Sequence, residues 1–324
     1  MIAVVLIQSI YVLLTAIAFA FELVPWTREA FVKYGRTRST RTAAAAAQGT
    51  VCAPGTATTL ERFTAMTVPK NWFSQFYWTG AVVGSLVLLD AVLWIWRSCR
   101  FGAQDLTHTH TFAAAVQLES WIDRDPPETV PAAETSSRVL AAVVGLSMYC
   151  IHIAIRLKEC VFDQPTTDAR MHVGQYAVGM IFYIATPFAI VADAYCAHIW
   201  QPVSLWMVAA AAVLFAFASL HQWRCHRILF QLRRIKLQHG TDGSYALPSG
   251  DLFEYVSSPH YLCEILVYVS LWMATGFQAP TLLCVVIWTT VNLSITAHES
   301  QMWYRRTFGD IFPQNRRMLL PFIW

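Results

Sequence analysis

Seven runs of apolar residues, each near the length that crosses a bilayer, divide this chain of 324 residues. A hydrocarbon core of about 30 Å is crossed by about 20 helical residues rising 1.5 Å each. The runs cover about 2–21, 75–96, 139–155, 173–192, 203–221, 261–278 and 280–297. Inside such a core every backbone polar group must be satisfied by the segment itself, so segments of this length are read as helices. Charged residues make up 13% of the chain, half of what soluble domains carry. The expectation is an all-α integral membrane protein of about seven transmembrane helices. The first run lacks the basic flank and the small-residue cleavage site of a signal peptide, and it is read as a span.

Lysine and arginine set the expected orientation. The connections after spans one, three and five and the C-terminal segment hold nineteen of them, whereas the opposite side holds Arg97, Arg100, Arg124 and Arg138. This bias predicts a cytosolic C-terminus and an N-terminus on the other side. Two stretches, 37–59 (low-complexity) and 122–137 (acidic, proline-rich), are expected to be flexible or disordered loops. With no internal repeat, residues 1–324 form one expected membrane domain. No basic tract interleaves with aromatics, which excludes nucleic acid as a partner. The eight cysteines are scattered singly with no CxxC. His221 and His226 fall on different helix faces, and His108 and His110 have no third ligand nearby. No metal site is expected.

Four polar clusters lie on the expected cytosolic side. In HQWRCHRILFQLRR (221–234), Gln222, His226, Leu229 and Arg233 share a helical face. The bland alternative is a juxtamembrane helix whose arginines touch lipid phosphates. In LPSGDLFEYVSSPHYLCE (247–264), Pro248 and Gly250 break the chain, Ser258 is placed to cap a helix, and Pro259 fits its first position. His260 and Glu264 then share a face. A carboxylate one turn into the membrane is a functional-site candidate by default; the alternative is a structural carboxylate, protonated or paired. In IHIAIRLKEC (151–160), His152, Arg156 and Glu159 line one face, whose bland reading is a snorkelling arginine paired with glutamate. The fourth cluster, 298–324, contains Trp303 and Tyr304, a pair suited either to an interfacial belt or to a flat cofactor. Neither GxGxxG, a P-loop nor GxSxG is present, so a dinucleotide would not be held in the Rossmann manner.

GDLFEYVSSPHYLCEILVYVS, HQWRCHRILFQLRR, VPKNWFSQFY and the ending NRRMLLPFIW resemble the steroid 5α-reductase family, and within it the polyprenal reductase branch. The resemblance covers spans two to seven and the C-terminal signature region, about 221–324. It implies a seven-helix bundle in the endoplasmic reticulum membrane that uses NADPH to reduce a carbon–carbon double bond conjugated to a carbonyl. It also implies cofactor contacts from Trp72, Arg156, Gln222, His226, Arg233, His260, Glu264 and Tyr304. Steroid enzymes carry asparagine at the position of His260, and asparagine and aspartate at those of Gln222 and His226. Where they read roughly WFxQE, with the glutamate binding the steroid ketone, this chain reads WFSQF, with Phe76 in that place. Ala246 in YALP likewise stands where the family has a phosphate contact; Arg233, Arg234 and Lys236 are nearby candidates to replace it.

The absence of that acid shifts the implied substrate from a steroid to a long isoprenoid, polyprenal, reduced at its α-isoprene unit to dolichal in dolichol synthesis for protein glycosylation. Gln75, Phe76 and Tyr77 are the implied substrate-binding residues. Glu264, Tyr304 and His152 are the implied catalytic set: Glu264 for the nicotinamide carboxamide, Tyr304 beside the nicotinamide, and His152, with Gln75 and Tyr77, for the carbonyl. Partners beyond the isoprenoid and the bilayer are not implied. Other readings of the same features are an S-adenosylmethionine-dependent membrane methyltransferase of prenylated substrates, a steroid 5α-reductase, and a non-enzymatic lipid-binding protein.

Overall fold

The computed structural model describes residues 2–23, 66–101, 132–167, 169–196, 203–238 and 245–320. The expected loop at 37–59, the two histidines at 108 and 110, and the final Pro321–Trp324 lie outside them. Seven long helices occur among the described residues: α1 (Ile2–Leu23), α2 (Phe73–Phe101), α3 (Ala132–Lys158), α4 (Val173–Cys196), α5 (Leu205–Gln238), α6 (Pro259–Ala274) and α7 (Pro280–Phe308). They match the seven apolar runs one for one. All but α6 are long and apolar enough to cross a membrane.

The differences lie at the ends. Helix α6 has 16 residues, about 24 Å of helix, and stops short of the predicted 278. Gly276 (φ 65°) and Phe277 (φ 61°) turn the chain there before Pro280 opens α7. The run at 203–221 continues through HQWRCHRILFQLRR as one 34-residue helix, about 51 Å long, whose last turns outrun the apolar layer. The expected disordered linker at 122–137 is corrected over its last part: Ala132–Ser137 already belongs to α3. The strong helix formers Ala132, Ala133 and Glu134 explain that early start; residues 122–131 lie outside the described set.

Helices α2, α3, α4 and α6 pack around a core in which Leu146, Tyr149, Ile190, Tyr268 and Leu271 are wholly buried, while Leu6, Leu13, Leu86 and Val213 face outward, as lipid contact requires. At the apolar end Asp193 of α4 accepts from the Thr281 backbone N–H and Oγ1, each at 2.8 Å. It supplies the cap that Ala279 cannot.

The opposite end holds the polar side chains. Strands β1 (Thr67–Pro69) and β2 (Arg170–His172) pair antiparallel, Val68 opposite Met171, and fix the starts of α2 and α4 side by side. Arg170 ties them further, donating to Thr67 Oγ1 at 2.7 Å. The segment before α6 is held on two sides. Gly250 sits at φ 90°, where an L side chain is strained. The next residue, Asp251, lies 2.6 Å from His221 Nδ1 on α5 and 3.6 Å from Arg224. Pro259 opens α6 as expected, but Ser258, at the cap position, makes no side-chain cap bond. The backbone there pairs with the C-terminal segment instead. Ser257 N–H donates to Arg317 O at 2.8 Å, Ser258 N–H to Met318 O at 3.2 Å, and Arg317 N–H to Tyr255 O at 3.3 Å. Arg316 donates to Pro248 O at 2.9 Å, and burial pushes its guanidinium pKa down. YVSSPHYLCE and NRRML are thus two halves of one structural lock.

Candidate active site

The lock presents the first turns of α6 to α5 and α3. His260 and Glu264 face α5, where Gln222 donates to Glu264 Oε2 and, more weakly, to His260 O at 3.5 Å. From α3, His152 Nε2 lies 3.3 Å from Glu264 Oε1. One turn further along α3, Arg156 is bonded to Glu159, lies 2.6 Å from His226 Nδ1, and donates to Tyr77 Oη at 3.1 Å. His226 Nδ1 is also 3.1 Å from Glu159 Oε2, and its ring is 5.7 Å from that of His260. Four helices therefore bring seven expected residues into one group: Tyr77, His152, Arg156, Gln222, His226, His260 and Glu264. His152, Glu159, Gln222 and His226 are buried. Three atoms of the group, Arg156 Nε, Glu159 Oε1 and His260 Nδ1, are buried without a partner.

A second group of expected residues forms an aromatic wall from α2 to α4. Trp72, 40% exposed, meets the Tyr176 ring edge-on at 5.6 Å, and Gln75 accepts a hydrogen bond from Tyr176 Oη. Phe76 is 3% exposed, 5.3 Å from the Tyr176 ring and stacked on Tyr183 at 5.9 Å. Its slot exists because residue 179 is glycine: a Cβ there would lie 2.7 Å from Phe76 Cζ. Gly179→Ala is expected to destabilise the protein by about 1–3 kcal/mol through overpacking. Thermal unfolding checks this; an unchanged melting midpoint would show that Phe76 is not so confined.

Tyr304 lies in a third group, at the end of α7. It stacks on Phe312 at 6.1 Å and on Phe308 at 6.0 Å, with Trp303 at 5.3 Å. Arg233 is exposed on the last turns of α5. Its neighbours, expected with it to serve the phosphate in place of Ala246, have partners of their own: Arg234 donates to Asp163 O at 2.7 Å, and Lys236 sits 2.9 Å above the Tyr245 ring. Beside them runs a groove of about 280 Å³ lined by Lys158, Asp163, Trp223, Arg227, Phe230, Gln231 and Arg234. Among the described residues no cluster of histidine, cysteine or acidic residues suits a metal ion. Cys150, Cys160, Cys225, Cys263 and Cys284 are free thiols.

The family described as 3-oxo-5-alpha-steroid 4-dehydrogenase matches residues 169–324. Over 276 residues, 80% of either protein, the chain is 30% identical to the polyprenal reductase of Mus musculus. The chain belongs to this family, in its polyprenal reductase branch. It is also 28% identical to the human polyprenal reductase over 269 residues, 80% of this chain and 79% of that one. With polyprenal reductase 2 of Oryza sativa subsp. japonica it shares 27% over 291 residues, 79% of this chain and 80% of the relative. The matched region of the steroid 5α-reductase family contains Gln222, His226, His260 and Glu264. The rest of the polar group, from α2 and α3, lies before it.

For this member of the polyprenal reductase branch, three kinds of residue were missed in the sequence as site candidates. Glu159 reads there as a surface partner of Arg156, yet it is 2% exposed and shared with His226. Tyr176 and Tyr183 build the wall around Phe76. Tyr149 and Tyr268 lie next to the polar group. The available signal was helical spacing: Tyr268 follows Glu264 by four residues and Tyr149 precedes His152 by three.

Proposed function

We propose that this protein reduces the α-isoprene double bond of polyprenal to dolichal at the expense of NADPH, as a step in dolichol synthesis for protein N-glycosylation. The observation that carries the reading is the largely buried group around Glu264, in which two carboxylates, an amide, three imidazoles and a guanidinium meet. Such a set fits NADPH. Glu264 and Gln222 suit a carboxamide, which needs an acceptor and a donor; the unpartnered Arg156 Nε–H is a further donor, and His260 Nδ1 is free to donate or accept according to its tautomer. The basic end of α5 suits phosphates. Trp72, Arg156, Gln222, His226, Arg233, His260, Glu264 and Tyr304 are the proposed cofactor residues. When bound there, NADPH supplies the hydride.

The substrate is an enal for a chemical reason. Hydride adds to the β-carbon of a conjugated aldehyde because the negative charge spreads to oxygen; the isolated double bond of an allylic alcohol offers no such acceptor. The chain must orient the enal near attack distance, exclude water, stabilise the oxygen as charge develops, and return a proton to the α-carbon. Phe76, Tyr176 and Tyr183 provide a dry aromatic wall for an isoprene unit, and Phe76 withholds the acid that a steroid ketone would meet. The proposed setting is the endoplasmic reticulum membrane with the polar end of the bundle towards the cytosol, in line with the positive-inside bias.

The deciding experiment incubates the purified protein and NADPH with polyprenal, polyprenol and a 3-keto steroid, and identifies the products. Dolichal from polyprenal, with the alcohol untouched, is expected, together with thermal stabilisation by NADPH and not by S-adenosylmethionine. Turnover of the steroid or the alcohol in place of polyprenal would overturn the substrate assignment.

A further inference from the structure

The side chains that the resemblance marks for the substrate carbonyl are already engaged. His152 is held by Glu264 at 3.3 Å, Tyr77 accepts from Arg156 at 3.1 Å, and Gln75 accepts from Tyr176. Two other polar groups close by are not. The hydroxyls of Tyr149 and Tyr268 have no hydrogen-bond partner, although both side chains are 0% exposed. Buried hydroxyls in native proteins are nearly always paired, and exceptions call for a reason.

Their placement supplies one. Tyr268 stands one turn beyond Glu264 along α6, on its membrane side, and its ring lies 6.3 Å from that of His152 and 5.7 Å from that of Phe182. Tyr149 stands about one turn before His152 on α3, its hydroxyl seated over Gly80 of α2, where a Cβ would lie 2.9 Å from it and 3.0 Å from the Tyr183 ring. The ring of Tyr183 also stacks on Phe76 and meets Phe182 at 5.2 Å. Both phenols thus belong to the aromatic interior that continues from Phe76, directly beneath the polar group.

We propose that Tyr268 and Tyr149 are the carbonyl-binding donors of this enzyme: their O–H groups donate to the aldehyde oxygen of the prenyl substrate, in the role that the acid missing at Phe76 leaves open. The inference rests on the function proposed above. A phenol suits the task because it is a neutral donor that can be buried without a counter-charge and aligns on an oxygen whose negative charge grows as hydride adds to the β-carbon. The carbon skeleton is held by the aromatic wall, so the two donors act on the reacting oxygen and not on the chain.

The test uses Tyr268→Phe, Tyr149→Phe and the double variant in the full-length protein. Phenylalanine keeps the rings and their packing. Each single variant is expected to lower kcat for polyprenal by about 100-fold, the scale of removing one oxyanion donor, with KM changed less and NADPH affinity within about twofold of wild type. As a second readout, the carbonyl stretch of polyprenal bound with NADP⁺ is expected at lower frequency than in an apolar solvent for wild type, and to move back in the variants. Wild-type activity in both single variants, or an unmoved carbonyl stretch, overturns the donor assignment while leaving the reductase reading intact. If the wild-type protein leaves polyprenal unreduced, the reading itself fails and takes the assignment with it.

Discussion

Glu264→Gln is expected to leave the bundle folded and to lower kcat/KM for polyprenal by at least about 100-fold, equivalent to about 2.7 kcal/mol. The substitution is isosteric, so its cost is electronic. The carboxylate offers two acceptor oxygens, one used by Gln222 and the other within 3.3 Å of His152. A glutamine keeps one acceptor and turns the other position into a donor. The Gln222 bond survives, and a change of tautomer lets His152 accept from the new amide. An incoming carboxamide would then meet a site with an acceptor fewer and a negative charge fewer. The loss is expected mainly in NADPH affinity, read from thermal stabilisation against cofactor concentration. His152→Ala should lower turnover less, because it frees the carboxylate without removing it. Normal NADPH affinity and turnover in Glu264→Gln would show that the carboxylate is purely structural.

How much of this was legible in the chain follows from the kind of signal each feature leaves. Spans are announced by the length of apolar runs, and all seven helices form where such runs occur. The end of α6 is not, because Gly276 and Phe277 turn through positive φ at a point where the apolar run continues. Polar faces within one helix are legible from 3.6-residue spacing, and Gln222 with His226 and His260 with Glu264 do meet. What spacing cannot show is which faces meet across helices. Glu159 becomes a site residue only because α5 places His226 against it, a contact between positions 67 residues apart in the chain. Tyrosines such as Tyr149 and Tyr268 read as core filler inside apolar runs; their helical spacing to His152 and Glu264 is shared by many core residues, and their unpartnered hydroxyls are seen only in the fold. The pairing of the SSP segment with Arg317 and Met318 is made by backbone groups, which every residue carries and no residue type advertises.

The second large effect falls on stability. Arg156→Met is expected to destabilise the protein by about 3–5 kcal/mol, the cost of removing one partner of a buried ion pair. Glu159 is 2% exposed and Arg156 14%, so neither water nor lipid can replace the missing guanidinium. In the variant the Glu159 carboxylate keeps only the His226 contact at 3.1 Å, and Tyr77 loses its donor. Methionine fills the volume of the arginine stem, so a cavity does not account for the change. Lysine is expected to rescue poorly, because one ammonium cannot reproduce the guanidinium contacts to Glu159, His226 and Tyr77 together. Removing the stranded charge should help more: Arg156→Met combined with Glu159→Gln is expected to recover about 1 kcal/mol or more of the loss, a coupling on the scale of about 0.5–3 kcal/mol seen for residues in one network. Thermal or denaturant unfolding of the two single variants and the double variant measures that coupling in a closed cycle. NADPH binding separates the two roles of Arg156. It should stay impaired in the double variant, whose stability returns in part, because the charge balance is repaired while the guanidinium remains missing from the proposed cofactor site. Simple additivity of the two substitutions would mean that the i,i+3 pair of Arg156 and Glu159 at the end of α3 contributes nothing to stability.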